Sequence, residues 1–367
     1  MSESLQIAFF GSSLVSAYWN GAATYYRGIV RALAERGHQI TFYEPDAFER
    51  QAHRDIEDPP WARVVVYPAG DASQVARALQ SARRADVIVK ASGVGVFDEF
   101  LEREVLGLKR PGNRVIFWDV DAPATLERLA ADERDAFHHL IPHYDLIFTY
   151  GGGKPVVDAY GARGAVRCVP IYNAVDPRDH YPVASDSRYR AMLGFLGNRL
   201  PDREERVREF FFKPARALPQ ETFLLAGSGW DENDGAPENV KRLGHLYSRD
   251  HNAFNCTPRA VININRRSMA QTGFSPPTRV FEAAGAGACL LLDAWEGIEC
   301  FLRPDEEVLV VHSGDEVAAV LTGLTDAHAR RIGKAARERV LAEHTYAHRA
   351  LEVEAALRSL GAEGVAA

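Results

Sequence analysis

The sequence predicts an α/β protein made of two doubly wound, Rossmann-like domains that face each other across a cleft. The chain has 367 residues, more than one ordinary hydrophobic core accommodates and about right for two α/β domains. Short apolar runs alternate with longer amphipathic segments, which is typical of parallel sheets covered by helices on both faces. The alternation breaks once, in the Pro- and Asp-containing stretch 176–190, and then resumes.

The apolar runs give seven strand candidates before this break and six after it. They are 5–10, 39–43, 64–67, 86–90, 114–120, 146–150 and 167–169, then 192–196, 222–226, 240–243, 260–263, 288–292 and 308–311. Helical patterns cover 22–36, 72–83, 125–140 and 326–360. We therefore predict an N-terminal domain at 1–180 and a C-terminal domain at 188–345. The helix at about 346–367 is expected to pack back on the first domain.

The composition excludes several classes of protein. Hydrophobic residues make up 46% and charged residues 25% of the chain, as in folded globular proteins, and the net charge is −7. An acidic molecule is not attracted as a whole to nucleic acid or to an anionic membrane, so we expect neither as a partner. The N-terminal residues do not form a signal-peptide pattern, and no run reaches the roughly 18 apolar residues of a membrane span. We predict a cytoplasmic protein without a transmembrane segment.

The cysteines and histidines show no metal-binding spacing. The cysteines form no CxxC pair, so we interpret them as free, mostly buried thiols; they are Cys168, Cys256, Cys289 and Cys300. The histidines, including His138, His139 and His143, are expected in solvated or core roles. No metal site is predicted.

The strongest local signal is the segment 273–287, where a short helix follows two prolines. Ser275 is a good N-cap, and a helix tolerates proline at its first position. Chiefly the amides of Thr278 and Arg279 then stay free, and a helix start that carries an arginine is a natural diphosphate site. Glu282 shares a face with Arg279 and could accept both hydroxyls of a ribose. The alternative is an exposed salt bridge between the two side chains.

Small and polar residues also follow the first predicted strand. Gly11 and Ser12 come directly after it, and Asn20 and Gly21 precede the next helix, for which Asn20 is a plausible N-cap. The glycines required by the G-x-G-x-x-G dinucleotide fingerprint are absent, which counts against an NAD enzyme. We place these four residues at the cleft.

Two carboxylates follow the strand candidate 114–120. Asp119 and Asp121 would lie at the carboxyl end of a parallel strand, where they could hold sugar or acceptor hydroxyls or take a proton. The alternative for Asp121 is a helix cap and nothing more. Together they spell D-x-D, but in the first domain and not in a donor-domain loop.

The 273–287 segment resembles the donor-site helix of GT-B glycosyltransferases, specifically the spore-maturation CgeB-like branch of the retaining, group 1-like enzymes. In that group the glutamate that opens an E-A-x-A-x-G run contacts the ribose, and Glu282 matches it. The wider group also has a glutamate eight positions earlier, where this chain has Phe274.

Further segments match the same pattern in the same order. Gly197 and Asn198, followed by Arg203, resemble the strand-glycine-basic segment that opens the donor domain. Arg203 matches its diphosphate-binding lysine, whereas Asn198 replaces an arginine. His245 and Leu246 resemble the turn that meets the nucleobase.

Two more segments resemble parts of the acceptor domain. Asn173, within 169–176, lies in a segment similar to the P-N-G-V-D end of that domain. Asp121 occupies a W-x-x-D-x-P turn comparable to one in CgeB-like chains.

The resemblance implies a metal-independent, retaining glycosyltransferase of hexosyltransferase type. Its donor would be a UDP-, GDP- or dTDP-linked sugar, and its acceptor a small molecule, a glycan or a protein. No cofactor is expected beyond this nucleotide-sugar co-substrate. Residues 1–180 would form the acceptor-binding domain and residues 188–345 the nucleotide-sugar donor-binding domain. Arg203, Arg279 and the amide of Thr278 would neutralise the leaving diphosphate, and Asp121 would act on the acceptor side. The residues expected on the acceptor or sugar side are Gly11, Ser12, Asn20, Gly21, Asp119 and Asn173. The alternatives are a nucleotide-sugar 2-epimerase and a non-catalytic, nucleotide-sugar-binding partner protein.

Overall fold

The computed structural model describes residues 4–231 and 233–363. The chain divides into two compact units: unit 1 contains the residues up to Tyr172 and those from Tyr346 on, and unit 2 is Asn173–Thr345. The division after Tyr172 falls before the predicted domain end at residue 180. The Pro- and Asp-containing stretch 176–190 therefore belongs to unit 2.

Unit 1 contains a seven-stranded sheet whose strands are all parallel. The strands are β1 (Gln6–Phe10), β2 (Gln39–Asp46), β3 (Arg63–Pro68), β4 (Val87–Ala91), β5 (Arg114–Asp119), β6 (Leu146–Thr149) and β7 (Cys168–Pro170). Their order in the sheet is β3-β2-β1-β4-β5-β6-β7, so the strand order reverses between β1 and β4. Strand β4 is buried along its whole length, as expected of a parallel strand covered on both faces.

The first six helices cover this sheet. They are α1 (Ala23–Glu35), α2 (Ala72–Ala82), α3 (Asp98–Glu104), α4 (Ala122–Ala131), α5 (Phe137–Leu140) and α6 (Gly153–Ala162). The single helix predicted at 125–140 is wrong, because α4 and α5 are separate. Between them Asp132 and Asp135 accept hydrogen bonds from the backbone amides of Arg134 and Phe137. Such local side-chain bonds compete with helical hydrogen bonds and stop the helix.

Unit 2 contains a six-stranded parallel sheet. The strands are β8 (Leu193–Leu196), β9 (Phe223–Ala226), β10 (Val240–Gly244), β11 (Ala260–Asn263), β12 (Leu290–Asp293) and β13 (Leu309–Val311), in the order β10-β9-β8-β11-β12-β13. Each of the strand runs predicted from the sequence coincides with a strand, in this unit and in unit 1. The predicted fold class, two doubly wound α/β sheets, is confirmed.

Within its described residues, unit 2 contains seven α-helices. They are α7 (Pro201–Val207), α8 (Lys213–Ala217), α9 (Ser248–Cys256), α10 (Arg267–Thr272), α11 (Thr278–Gly285), α12 (Gly314–Gly323) and α13 (Asp326–Glu343). A π-helical turn, Arg208–Phe212, joins α7 to α8 and buries three consecutive phenylalanines in the core of the unit.

The last helix, α14 (Tyr346–Glu363), packs on α1 within unit 1. Gly28 of α1 has no side chain, and a Cβ at this position would collide with the ring of Tyr346. Arg36 donates two hydrogen bonds to Glu354, at 2.5 and 2.8 Å, at the other end of this contact. The helical pattern 326–360 is thus two helices, and the chain passes from unit 2 to unit 1 between them.

None of the helices within the described ranges combines the length and the apolar character needed to cross a membrane.

Candidate functional site

Helix α11 begins three residues later than Ser275, so the predicted N-cap is wrong. The N-cap position is Pro277, and the Ser275 hydroxyl donates instead to the Gly273 carbonyl at 2.8 Å. The cause is the pair of prolines, because a residue that precedes proline is disfavoured in helical conformation. The amides of Thr278 and Arg279 find no acceptor among the described residues, so the helix start offers two free donors.

Arg279 and Glu282 form an ion pair that is not exposed. Nη1 of Arg279 donates to Oε2 of Glu282, whose side chain is 1% exposed, whereas the Arg279 side chain is 33% exposed. The other carboxylate oxygen, Oε1, is buried and has no hydrogen-bond partner among the described residues. A buried carboxylate oxygen without a donor is costly, so this atom indicates a missing hydroxyl or amide donor.

Two histidines that the sequence analysis did not single out lie beside this pair. His251 on α9 accepts a hydrogen bond at Nδ1 from Nη1 of Arg279, at 2.9 Å. His180, 6% exposed, has a buried Nδ1 without a partner among the described residues. His251 shares the buried side of α9 with Phe254 and Asn255, three and four residues on. That spacing was the only local signal for it.

Burial and charge act in opposite directions on Glu282. Burial, the largest single influence, raises the pKa of its carboxyl, but the charge of Arg279, the neighbouring His180 and His251 and the hydrogen bond from Arg279 together outweigh burial and lower the pKa to about 2. The carboxylate therefore remains ionised at neutral pH. It is a hydrogen-bond acceptor held in place by one arginine.

Arg203 lies near this cluster with no protein partner of its own. Its guanidinium crosses over Gly197 at the end of β8, where a Cβ would lie 2.5 Å from Nη1. Nε is buried, and no described residue accepts a hydrogen bond from the side chain or pairs with its charge. Burial, and then the charge of Arg266, lower the pKa of Arg203 to about 10, and Arg279 acts in the same direction.

The neighbouring arginines, in contrast, are paired. Arg266 donates to Asp202 at 2.7 Å, and Arg206 donates to the buried Asp293. The excess positive charge of this region is therefore concentrated on Arg203 and on the open side of Arg279.

The three other predicted donor residues lie around the ends of β8, β9 and β10. Asn198 accepts a hydrogen bond from the Ser228 amide at 2.9 Å, and the Ser228 hydroxyl lies 3.4 Å from Nδ1 of His245. The Leu246 carbonyl accepts a hydrogen bond from Nε2 of His251 at 3.2 Å. The turn after β10 is thereby connected to Arg279 through His251.

Asn173 belongs to unit 2, although the sequence placed it at the end of the acceptor domain. It is fully buried, and its Nδ2 donates to the Pro276 carbonyl at 2.8 Å. It thus fixes the segment that leads into α11. The apparent assignment to the first domain came from its position right after β7.

In unit 1, Asp119 is buried, and both of its carboxylate oxygens accept hydrogen bonds from the protein. This corrects the prediction that Asp119 lies on the acceptor side. Its carboxylate accepts from the hydroxyls of Ser92 (2.7 Å), Thr125 (3.1 Å) and Tyr160 (2.6 Å) and from the Asp121 amide (3.0 Å). It is 0% exposed, and it organises the turn after β5.

Asp121 itself occupies the N-cap position of α4 but makes no capping hydrogen bond with its side chain. The helix-cap alternative therefore lacks its main contact. The residue as a whole is only partly buried, whereas Asp119 is fully buried.

Asn20 is not the N-cap of α1, which is Ala22. Its side chain points back into the preceding loop, where Nδ2 donates to the carbonyls of Ser13 (2.9 Å) and Ser16 (3.0 Å) and Oδ1 accepts from the Ser12 hydroxyl (2.9 Å). These bonds satisfy the amide internally, which explains why it does not cap the helix.

The two predicted glycines of this loop differ. The amide of Gly11 donates to the Tyr43 carbonyl, whereas Gly21 is exposed with open space around its Cα. Among the described residues, no three His, Cys, Asp or Glu side chains are grouped to hold a metal ion.

Comparisons with known proteins agree with this geometry. Residues 203–355 match the family described as glycosyl transferase-like, a region that contains Arg203, His251, Arg279 and Glu282. A search of curated protein sequences finds no significant match.

Solved structures resemble the chain over nearly its whole length. HepE of Anabaena, in complex with UDP and glucose, has a TM-score of 0.67 at 15% identity, covering 97% of this chain and 100% of that one. Sucrose-phosphate synthase of Thermosynechococcus elongatus has a TM-score of 0.65 at 16% identity, covering 98% and 100%. An α-glucosyltransferase in complex with UDP-glucose and abasic DNA has a TM-score of 0.66 at 13% identity, covering 92% and 95%. The chain has the GT-B fold, and its residues 203–355 are similar to a glycosyl transferase-like family.

Proposed function

We propose that this protein is a glycosyltransferase that takes its sugar from a nucleotide-sugar held by unit 2. The observation that carries the proposal is the guanidinium of Arg203, which has a buried Nε and no partner among the described residues. A partly buried cation without an ion-pair partner does not stabilise a fold, so we infer that its partner is a ligand anion.

A diphosphate fits this arrangement. Arg203 and Arg279 lie close enough for one charge to lower the pKa of the other side chain, and α11 adds the free amides of Thr278 and Arg279. Preorganised donors of this kind stabilise the charge that develops on a leaving nucleoside diphosphate. They do so without a metal ion, and we propose a metal-independent reaction.

Glu282 fits the ribose of the same nucleotide. One of its oxygens is held by Arg279, and the other, Oε1, is free to accept a hydroxyl. Ribose is common to UDP and GDP, so this contact selects a ribonucleotide but not a base. The solved complexes of HepE and of the α-glucosyltransferase contain UDP or UDP-glucose, which favours a UDP-hexose as the first donor to test.

The acceptor is proposed to bind to unit 1, where Asp121, which is only partly buried, follows β5 at the carboxyl edge of the sheet. Retention of the anomeric configuration and membership in the CgeB-like branch follow from the sequence resemblance and remain part of the proposal.

A thermal-shift screen against UDP, GDP, dTDP and their sugars, followed by turnover assays with each stabilising donor, tests the function. A ligand that binds the folded chain raises its Tm, because it adds about 2.7 kcal/mol to the free energy of unfolding at a hundredfold excess over Kd. We expect at least one ribonucleotide and its sugar to stabilise the chain and that sugar to be transferred or slowly hydrolysed. Stabilisation by no nucleotide would contradict the donor site, and binding without any turnover would favour a non-catalytic binding protein.

A further inference from the structure

His251 is a buried imidazole that joins two parts of the candidate donor site. It is 3% exposed and lies on α9. On one side its Nδ1 accepts a hydrogen bond from Nη1 of Arg279 at 2.9 Å, and on the other its Nε2 lies 3.2 Å from the Leu246 carbonyl. The turn after β10 and the start of α11 therefore meet at a single ring.

The two contacts require one protonation state. A carbonyl only accepts, so Nε2 must carry the proton, and a guanidinium only donates, so Nδ1 must be bare. The ring is then neutral. Burial, and after it the charge of Arg279, lower the pKa of His251 to about 3, in agreement with this tautomer.

The contact with His251 determines how Arg279 is oriented. Nη1 is shared between His251 and Oε2 of Glu282, whereas Nε and Nη2 have no acceptor among the described residues. The guanidinium is planar and rigid, so two acceptors on one nitrogen fix the direction of its other donors. Since the Arg279 side chain is 33% exposed, these donors have access to solvent and to a ligand.

Without His251, Arg279 would be free to bind both oxygens of Glu282 in the bidentate geometry that arginine prefers with carboxylates. That rotation would occupy Oε1, the oxygen left for the ribose, and turn the outer donors away from the phosphates. The imidazole thus keeps Oε1 of Glu282 available to the ribose and the outer donors of Arg279 available to the phosphates.

We propose that His251 is a positioning residue of the donor site. Resting on the function proposed above, it holds Arg279 toward the diphosphate, leaves Oε1 of Glu282 open to the ribose, and links both to the turn at Leu246. The parts that meet base, ribose and phosphate are then prepared together.

Three variants test this role by calorimetry with UDP. His251→Leu removes both hydrogen bonds at similar size, and we expect UDP affinity to fall about ten- to a hundredfold, the loss typical of a hydrogen bond to a charged group. His251→Gln should recover most of the affinity, because its amide can donate at one end and accept at the other. Phe254→Leu, on the same buried side of α9, is the matched control, and it should lower stability without changing UDP affinity.

A double-mutant cycle separates positioning from general damage. In an Arg279→Ala background, His251→Leu should cause a much smaller further loss of UDP affinity, because the residue acts mainly through Arg279 and only its contact with the Leu246 carbonyl remains to be lost. An equal loss in both backgrounds, or a folded His251→Gln no better than His251→Leu, would overturn the proposal.

A spectroscopic readout does not depend on the proposed function. A ¹⁵N–¹H spectrum of the histidine side chains of the free protein should show His251 neutral and protonated at Nε2 at pH 6. A charged imidazolium there would overturn the positioning role. If the ring is neutral but the parent protein binds no nucleotide, the proposed function fails while the proposed hydrogen bonds of His251 stand. The two failures are thus distinguishable.

Discussion

Replacing Arg203 with methionine should make the nucleotide-free protein more stable and weaken its affinity for nucleotides. At pH 7 the guanidinium is charged in both the folded and the unfolded chain. Burial and neighbouring arginines lower its pKa to about 10 in the fold, whereas an ordinary arginine has a value of about 12.5. A difference of one in pKa corresponds to about 1.4 kcal/mol, so the charge costs the folded chain at most about 3.5 kcal/mol. Water reaches part of the side chain and screens it, so we expect a gain of about 1–2 kcal/mol.

Two measurements on the same variant should show the two opposite effects, a gain in stability and a loss of UDP affinity. Thermal unfolding of Arg203→Met should show a Tm a few degrees above that of the parent. Calorimetry should show UDP binding weakened about ten- to a hundredfold, because charge-assisted hydrogen bonds to phosphate are lost. Arg208→Met is the matched control: this nearby arginine is 44% exposed and donates to Glu204, and its loss should change neither quantity appreciably.

One combination of results would refute the reasoning. If Arg203→Met lowers the free energy of unfolding and leaves UDP affinity unchanged, the guanidinium is part of the architecture and not a phosphate ligand. Since the control removes a cation from the same region, a change in net charge cannot produce the expected pattern.

Four further outcomes are expected. Glu282→Ala should weaken every ribonucleotide by about 1.5–3 kcal/mol in calorimetry, but not a 2′,3′-dideoxy analogue, and equal losses for both would place Glu282 outside the ribose contact. Asp121→Asn should cut sugar transfer about 10²–10⁴-fold at unchanged UDP affinity, and parental turnover would reduce the residue to a helix terminus. Sugar transfer should survive EDTA. If EDTA abolishes transfer and manganese restores it, Asp119 and Asp121 are metal ligands. The hydrogen bond from Arg36 is the largest influence on Glu354 and lowers the pKa of its carboxyl to about 2. The ionised carboxylate therefore stabilises the fold fully above the ordinary glutamate pKa of about 4.3, and this stability is lost as the pH falls toward 2. Glu354→Gln should flatten the dependence of the unfolding free energy on pH in this range, and an unchanged slope would contradict the assignment.

The strands were predictable from the sequence because their signal is local. A parallel strand covered on both faces is a short apolar run, and each such run in the chain became a strand. The arginine and glutamate at the start of α11 were also identified, because a helix start and a three-residue spacing are properties of neighbouring residues.

The errors concern contacts between residues far apart in sequence. Asn20 and Ser275 have the chemistry of N-caps, but loop carbonyls and a pair of prolines direct their side chains elsewhere. Asp119 is removed from the surface by Tyr160, 41 residues away. His251 gains its importance only through Arg279, 28 residues on. No periodicity in the chain reports such pairs.

The packing of α14 on α1 affects the order in which the chain can fold during synthesis. The strands of unit 1 leave the ribosome first, but the groove at Gly28 stays unfilled until Tyr346 has been made. All of unit 2, in contrast, is contiguous and can finish folding as soon as Thr345 has emerged. The nascent chain can therefore complete its second unit before its first, and until α14 has been made the face of α1 that receives it is uncovered.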